Sequence, residues 1–320
     1  MVKYFDEEWP KEEEMLNIGL KMSRQNKADR KKVKRVFCIG NGESRQGFDL
    51  EQLRPHGKIY GCNAIYRDFT PDVLIAVDHG IEHEIYHSGL AQKIPCYFRN
   101  WQKVPAMHYE MMVYGSITNI TRDELKDYYD SHSENERGDS KEFVFHGSNL
   151  EGLAKIIQQQ EAQGKTREII QKQIKHSGIH VSWIKEPDMS YDVRDVVPSY
   201  RDLGWAAGAT SARVAVDREK PVKEIFMIGH DLYSKTATVN NIYKGTRHYV
   251  TPQNSPTPSD NWITQWKAMF VGYPDIQFYK VNEKGTEGGD NVNRTIQNWH
   301  GCKNIKYIDY QTMLDIIEKK

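Results

Sequence analysis

The sequence predicts an α/β fold with a mostly parallel sheet and helices on both faces, on three observations. Short apolar runs recur along the 320 residues: VFCI ending at Ile39, KIYGC at 58–62, VLIAV at 73–77, VKEIFMI at 222–228 and IQFYKV at 276–281. They are continuous rather than alternating, as expected of strands buried on both faces. Helical or loop segments separate them, as crossover connections require. Most of them also end in Gly, Asn or Asp: Gly40-Asn41-Gly42, Asn63, Asp78, Gly229-His230-Asp231 and Asn282. Ligands of open α/β sheets sit beyond the carboxyl ends of the strands.

Taken in order, residues 1–34 read as a charged helix and linker, with helix over 6–34 carrying Met15, Leu16, Ile18, Leu20 and Met22. From 35 to 320 the chain reads as one Rossmann-like domain. Its first strand, about 33–39, stops at Gly40. Asp49 to Leu53 is a short helical turn, 58–62 the second strand, 73–77 the third, and 94–98 the next. An insertion is expected over about 116–200. Within it 116–142 is polar, 149–176 reads as a long polar helix, and 179–203 is irregular around Pro187 and Pro198. Ala206 to Val216 is a helix rich in small residues, which lets it lie close to a sheet. A loop or lid covers 234–261, and an amphipathic helix follows over 261–270.

Composition narrows the function classes. Lys+Arg and Asp+Glu both number 44, so the net charge is zero and no long-range attraction to nucleic acid or anionic membrane arises. No run approaches the ~20 apolar residues of a membrane helix. Cys38, Cys62, Cys96 and Cys302 are widely spaced with no C-x-x-C pair, which argues against a zinc knuckle and for reduced thiols in a cytoplasmic setting. A homo-oligomer is left open.

The candidate site residues come from the strand ends. Gly40-Asn41-Gly42-Glu43-Ser44 lacks the third glycine of a dinucleotide fingerprint and the lysine of a P-loop. Such a turn can still aim N–H groups at a phosphate, with Asn41 and Ser44 adding side-chain donors; an ordinary strand-to-helix turn is the plain alternative. Asn63, Asp78 and Gly229 lie at the same edge. Asp231 and Tyr233 alternate, so extended geometry places both on one side. His79, His83 and His87 share a helical face, but Glu82 and Glu84 among them indicate a surface helix, and no metal ligands are assigned. Lys244, Arg247 and His248 lie in a loop able to close over an anion.

These segments resemble the bacterial lipooligosaccharide sialyltransferases. The likeness rests on V-F-C-I-G-N-G-E-S, D-L-x-x-L and I-Y-G-C-N-A-I-Y in the first half, and K-E-I-F-M-I-G-H-D-L-Y after the small-residue helix in the second. It covers about 33–90 and 204–270. The resemblance implies that Asn41 and Asn63 contact a CMP-linked sugar, with Asp231 and Tyr233 near its ribose and phosphate. In that family two tyrosines assist departure of the phosphate. Tyr233 matches the first, and Tyr243 stands in for the second because Val239 occupies its place. The family's base histidine falls near Pro252, which leaves His248 as the nearest histidine. Glu43 replaces a proline, and Asp78 an asparagine. Archaeal pterin diphosphokinase-like proteins share the glycine turn, and uncharacterised phage-encoded proteins are also similar; a phage origin would put the chain in the host cytoplasm.

The expected function is therefore a glycosyltransferase-like enzyme. It would move a sugar from a nucleotide donor, such as a CMP-sugar, to a hydroxyl of a glycan or small molecule. His248 is its base, Tyr233 and Tyr243 serve the leaving phosphate, and no cofactor or metal is needed. Two alternatives stand beside it. One is a magnesium-dependent diphosphokinase or nucleotidyl-type transferase using Asp78 and Asp231. The other is a non-catalytic nucleotide-binding or structural protein.

Overall fold

A computed structural model describes residues 35–99, 101–105, 142–146, 159, 161–165, 180–184, 188–196, 206–232, 234, 236–282 and 296–319. The helix expected over 6–34, nearly all of the polar stretch 116–142, most of the helix expected over 149–176, and Tyr233 lie outside the described residues.

The main sheet has eight strands. They are β1 (Arg35–Ile39), β2 (Lys58–Cys62), β3 (Val73–Ala76), β4 (Cys96–Phe98), β8 (Ser190–Asp192), β9 (Glu224–Ile228), β10 (Gln277–Asn282) and β11 (Ile305–Asp309). The spatial order is β11-β10-β9-β1-β2-β3-β4-β8, and every neighbouring pair is parallel. The Rossmann-like α/β architecture is thus present. A separate antiparallel sheet joins β5 (Gln102–Pro105), β6 (Glu142–His146) and β7 (His180–Ile184) in that order.

Among the described residues the α-helices include α1 (His79–His87), α2 (Val193–Val196, a single turn), α3 (Ala207–Arg218), α4 (Asp260–Gly272) and α5 (Tyr310–Glu318). The continuous apolar runs have their physical reason in the two cores. Alternate residues of each strand feed opposite faces. Val36 and Cys38 of β1 join Ile225 and Met227 of β9 in a core closed by Ala212 and Ala215 of α3 and Trp266 and Phe270 of α4. Phe37 and Ile39 join Phe226 and Ile228 in a second core with Ile81 and Ile85 of α1 and Met313 and Ile317 of α5. With both faces covered, no position of β1 beyond Arg35 can be polar. The alanines of α3 remove the side-chain bulk that would hold it off the sheet.

Two expectations are corrected. The stretch 179–203 is not irregular throughout. His180–Ile184 is a strand of the small sheet, and Ser190–Asp192 is the edge strand of the large one. β8 is only three residues long, and Asp188 and Asp192 flank or end it, so no apolar run marked it. The large sheet also extends past Asn282 through β11, whose exposed Lys306 breaks the apolar pattern.

The chain order places the site. From β1 the sheet grows one way through β2, β3 and β4, and β9 later adds to the other side of β1. The direction of winding therefore reverses between β1 and β9. The crevice beyond their carboxyl ends is the topological switch point at which open α/β sheets bind ligands.

Candidate functional site at the β1–β9 switch point

The two turns that leave β1 and β9 are bonded to each other. Gly40 N–H donates to Ile228 O at 2.7 Å, and Gly42 N–H to Gly229 O at 2.8 Å. Asp231 then accepts from Ser44 twice, from its N–H at 2.9 Å and from its hydroxyl. Such close approach needs glycine. A Cβ on Gly42 would lie 2.4 Å from Asp231 Cγ. Gly229 has φ +66°, in the left-handed region that glycine tolerates without strain.

Arg45 fastens the β1 turn from below. It is buried, its Nε donates to Gly40 O at 2.9 Å, and a guanidinium N–H donates to Tyr243 OH at 2.8 Å. Tyr243 OH in turn donates to Asp68, which also pairs with Arg45 at 3.6 Å. Burial and the Asp68 carboxylate both push the Tyr243 phenol well above its usual range, so it stays protonated.

Asn41 is oriented by its donors. Its Nδ2 gives one hydrogen bond to Cys62 O at 3.1 Å and one to Tyr249 OH at 3.2 Å. A backbone carbonyl only accepts, so the amino group must face Cys62 and Oδ1 the opposite way. That Oδ1 is buried and has no hydrogen-bond partner among the described residues. Asn63 Oδ1 is in the same condition, on a residue held at φ 51°. Left-handed backbone outside glycine gathers at ligand sites. Tyr249 OH also receives the Ala64 N–H at 3.2 Å, and burial raises its pKa to about 12.

A cavity of about 480 Å³ opens beyond these turns. Its lining includes Gly40, Asn41, Gly42, Asn63, Asp78, Gly229 and Asp231, seven of the positions expected from the sequence. Trp262 and Trp266 of α4 and the first residues of α3 line it as well. That end of α3 has alanine at the N-cap and no side-chain cap, and Ala206 N–H is taken by Gln265 Oε1 at 2.6 Å. The N–H groups of the first turn have no partners within the helix, and they carry the positive end of its dipole. Arg99 also lines the cavity, with its Nε buried and unpartnered among the described residues.

The expected site residues divide accordingly. Ser44 is beside the cavity and spent on Asp231. Tyr243 and His248 are not on the lining. The His248 ring rests against Gly80, where a Cβ would come within 2.5 Å of its Nδ1, and Nε2 lies 3.7 Å from Glu84. Burial, then Arg247, hold its pKa below the usual imidazole value. Tyr243 thus lies beneath the turn, bonded to Arg45 and Asp68, and His248 lies beside α1. Of the histidine row, His83 and His87 meet edge to face with ring centroids 4.1 Å apart, and no cluster of three metal-ligating side chains occurs among the described residues.

Sequence reading passed over Arg45, Arg99, His230, the tryptophan wall and the start of α3. Only the last had a local signal: Ala206-Ala207-Gly208 opens a helix without any capping residue. No helix among the described residues is long and apolar enough to cross a membrane. Comparison with protein-family models, curated proteins and solved structures finds no match.

Proposed function

We propose that this chain binds a nucleotide-activated sugar in the switch-point cavity and transfers the sugar to an acceptor hydroxyl, as a glycosyltransferase-like enzyme. The observation that carries the reading is the cavity's wall composition. An uncapped helix start and Arg99 offer positive charge, and unpartnered acceptors on Asn41 and Asn63 offer hydrogen bonds. A phosphate suits the former, and the hydroxyl and amino groups of a nucleoside suit the latter. Trp262, half-buried on the lining, gives a ring against which a base or sugar packs.

Transfer would be a direct displacement. The acceptor oxygen bonds to the anomeric carbon while the bond from that carbon to the phosphate oxygen breaks, and the phosphate leaves with the electron pair. The acceptor proton goes to a base. Asp78 is the candidate: it is exposed, lines the cavity, and makes no capping bond to α1 although it stands at the N-cap. It takes the place first given to His248.

Asp78 and Asp231 both lie on the lining, which supports magnesium-dependent phosphoryl or nucleotidyl transfer as the second reading. Thermal shifts with CMP, CDP, UDP, GDP and ATP, each with and without magnesium, separate the two. A ligand that binds only the folded state at a hundredfold excess over Kd stabilises by ~2.7 kcal/mol. A magnesium-independent shift with CMP supports the sugar-transfer reading. A shift that requires magnesium supports the second, and no shift with any nucleotide overturns both.

A further inference from the structure

His230 follows Gly229, whose left-handed backbone turns the ring back under the β1 turn and edge-on to Trp266 at 5.0 Å. Its Nε2 lies 3.1 Å from Cys38 O. That carbonyl can only accept, so Nε2 carries the proton. Burial, then the charge of Lys280, push the imidazole down to about 3, so at neutral pH the ring holds a single proton and Nδ1 is bare. No hydrogen bond reaches Nδ1 among the described residues. Two glycines flank it: a Cβ on Gly208 would stand 2.8 Å from Nδ1, and one on Gly40 2.9 Å. His230, Gly40 and Gly208 all line the cavity. Any larger residue at either glycine would cover the lone pair.

We infer that His230 determines ligand specificity: its Nδ1, fixed as an acceptor by the bond to Cys38, takes a hydrogen bond from a ribose hydroxyl of the bound nucleotide. The inference deepens the nucleotide reading above and rests on it. A bare lone pair rejects oxyanions, so the group it takes is a donor such as a hydroxyl and not the phosphate. Asn41 Oδ1 and the Asp231 carboxylate, on the same side of the cavity, are likewise acceptors. The glycine-turn side therefore favours a donor-rich group, and in a nucleotide that is the vicinal diol. So weak a base orients a hydroxyl rather than removing its proton.

The test is calorimetric titration with CMP and 2′,3′-dideoxyCMP on the unmodified protein and on His230→Phe, which keeps the ring's shape without an acceptor. Unmodified protein should bind CMP about tenfold more tightly than the dideoxy compound, the worth of a buried hydrogen bond. In His230→Phe the two should agree within about twofold, with dideoxyCMP affinity close to that of the unmodified protein. A merely structural role would weaken both ligands alike and keep their ratio. Equal affinities in the unmodified protein, or an undiminished ratio in the variant, overturn the inference and leave nucleotide binding standing. Binding of neither compound overturns the nucleotide reading and this inference together. Equal affinities in the unmodified protein overturn the inference even if the variant does not fold.

Discussion

The carboxylate of Asp231 accepts both the backbone N–H and the hydroxyl of Ser44, 187 residues earlier in the chain. One side chain thus bonds the β9 turn to the β1 turn across the mouth of the switch-point crevice. Asp231→Ala would leave two donors without their acceptor. Loss of a charged acceptor costs roughly 1–3 kcal/mol, and urea denaturation should show a loss of that size. Asp231→Asn keeps one acceptor oxygen and should lose less. Equal stability of all three proteins would mean the bond is spent on nothing.

Gly42 answers to the same contact. The methyl of Gly42→Ala would stand 2.4 Å from Asp231 Cγ and 2.7 Å from Gly229 O, one of them backbone. Separating the turns breaks Gly42 N–H to Gly229 O as well. The expected outcome is a fall in melting temperature together with weaker nucleotide binding. Gly47→Ala is a control with open space around it, strained only by its φ of +83°.

Asn41→Ala removes the ligand-facing acceptor but also the bonds to Cys62 O and Tyr249 OH. It should therefore lower stability by about 1 kcal/mol as well as weaken nucleotide binding. Asn41→Asp keeps an oxygen in place of Oδ1 and adds a negative charge to the cavity that takes the phosphate, so its binding loss should grow as salt is reduced. Calorimetry at two ionic strengths reads the difference, and a salt-independent loss would place the phosphate elsewhere.

Catalysis separates Asp78 from His248. Asp78→Asn should abolish sugar transfer from a CMP-sugar while CMP affinity changes little. His248→Ala should retain transfer, because the ring lies off the cavity wall, against Gly80 and Glu84. The reverse pattern in an activity assay would restore the histidine as base.

Two buried groups shape stability against pH in opposite senses. Burial raises Glu82 from 4.5 to about 7. Between those values the folded chain holds a proton that the unfolded chain has released, so stability falls as pH rises, by roughly 3 kcal/mol across the window. His230 is depressed from 6.5 to about 3. There the unfolded chain binds the extra proton, so stability falls as pH drops. The opposed slopes flatten the curve where the windows overlap. Glu82→Gln keeps an acceptor for the Arg99 N–H, which Glu82 Oε1 receives at 2.9 Å, and removes the first slope. Its melting temperature should exceed that of the unmodified protein above pH 7 and fall more steeply below pH 6.5. Parallel melting curves for the two proteins between pH 4 and 8 would refute the assignment.

Local sequence determined the strands of the sheet's centre and the residues at their ends. A strand covered on both faces must be apolar along its length, as in RVFCI, KIYGC and EIFMI, and a chain leaving such a strand must turn on glycine or a short polar residue. That is why Gly40, Asn41, Gly42, Asn63, Asp78, Gly229 and Asp231 were legible together. Tertiary structure decided which of the remaining polar residues face a ligand. His248 and His230 have the same side chain and both follow a turn, yet one packs on α1 and the other lines the cavity, because β9 pairs with β1 and α3 crosses above them. Arg45 and Arg99 were likewise indistinct among the other cations until Gly40 O and the cavity wall gave them neighbours. Strand pairing between residues nearly two hundred positions apart carries no local mark, and the site exists only where that pairing brings two turns together.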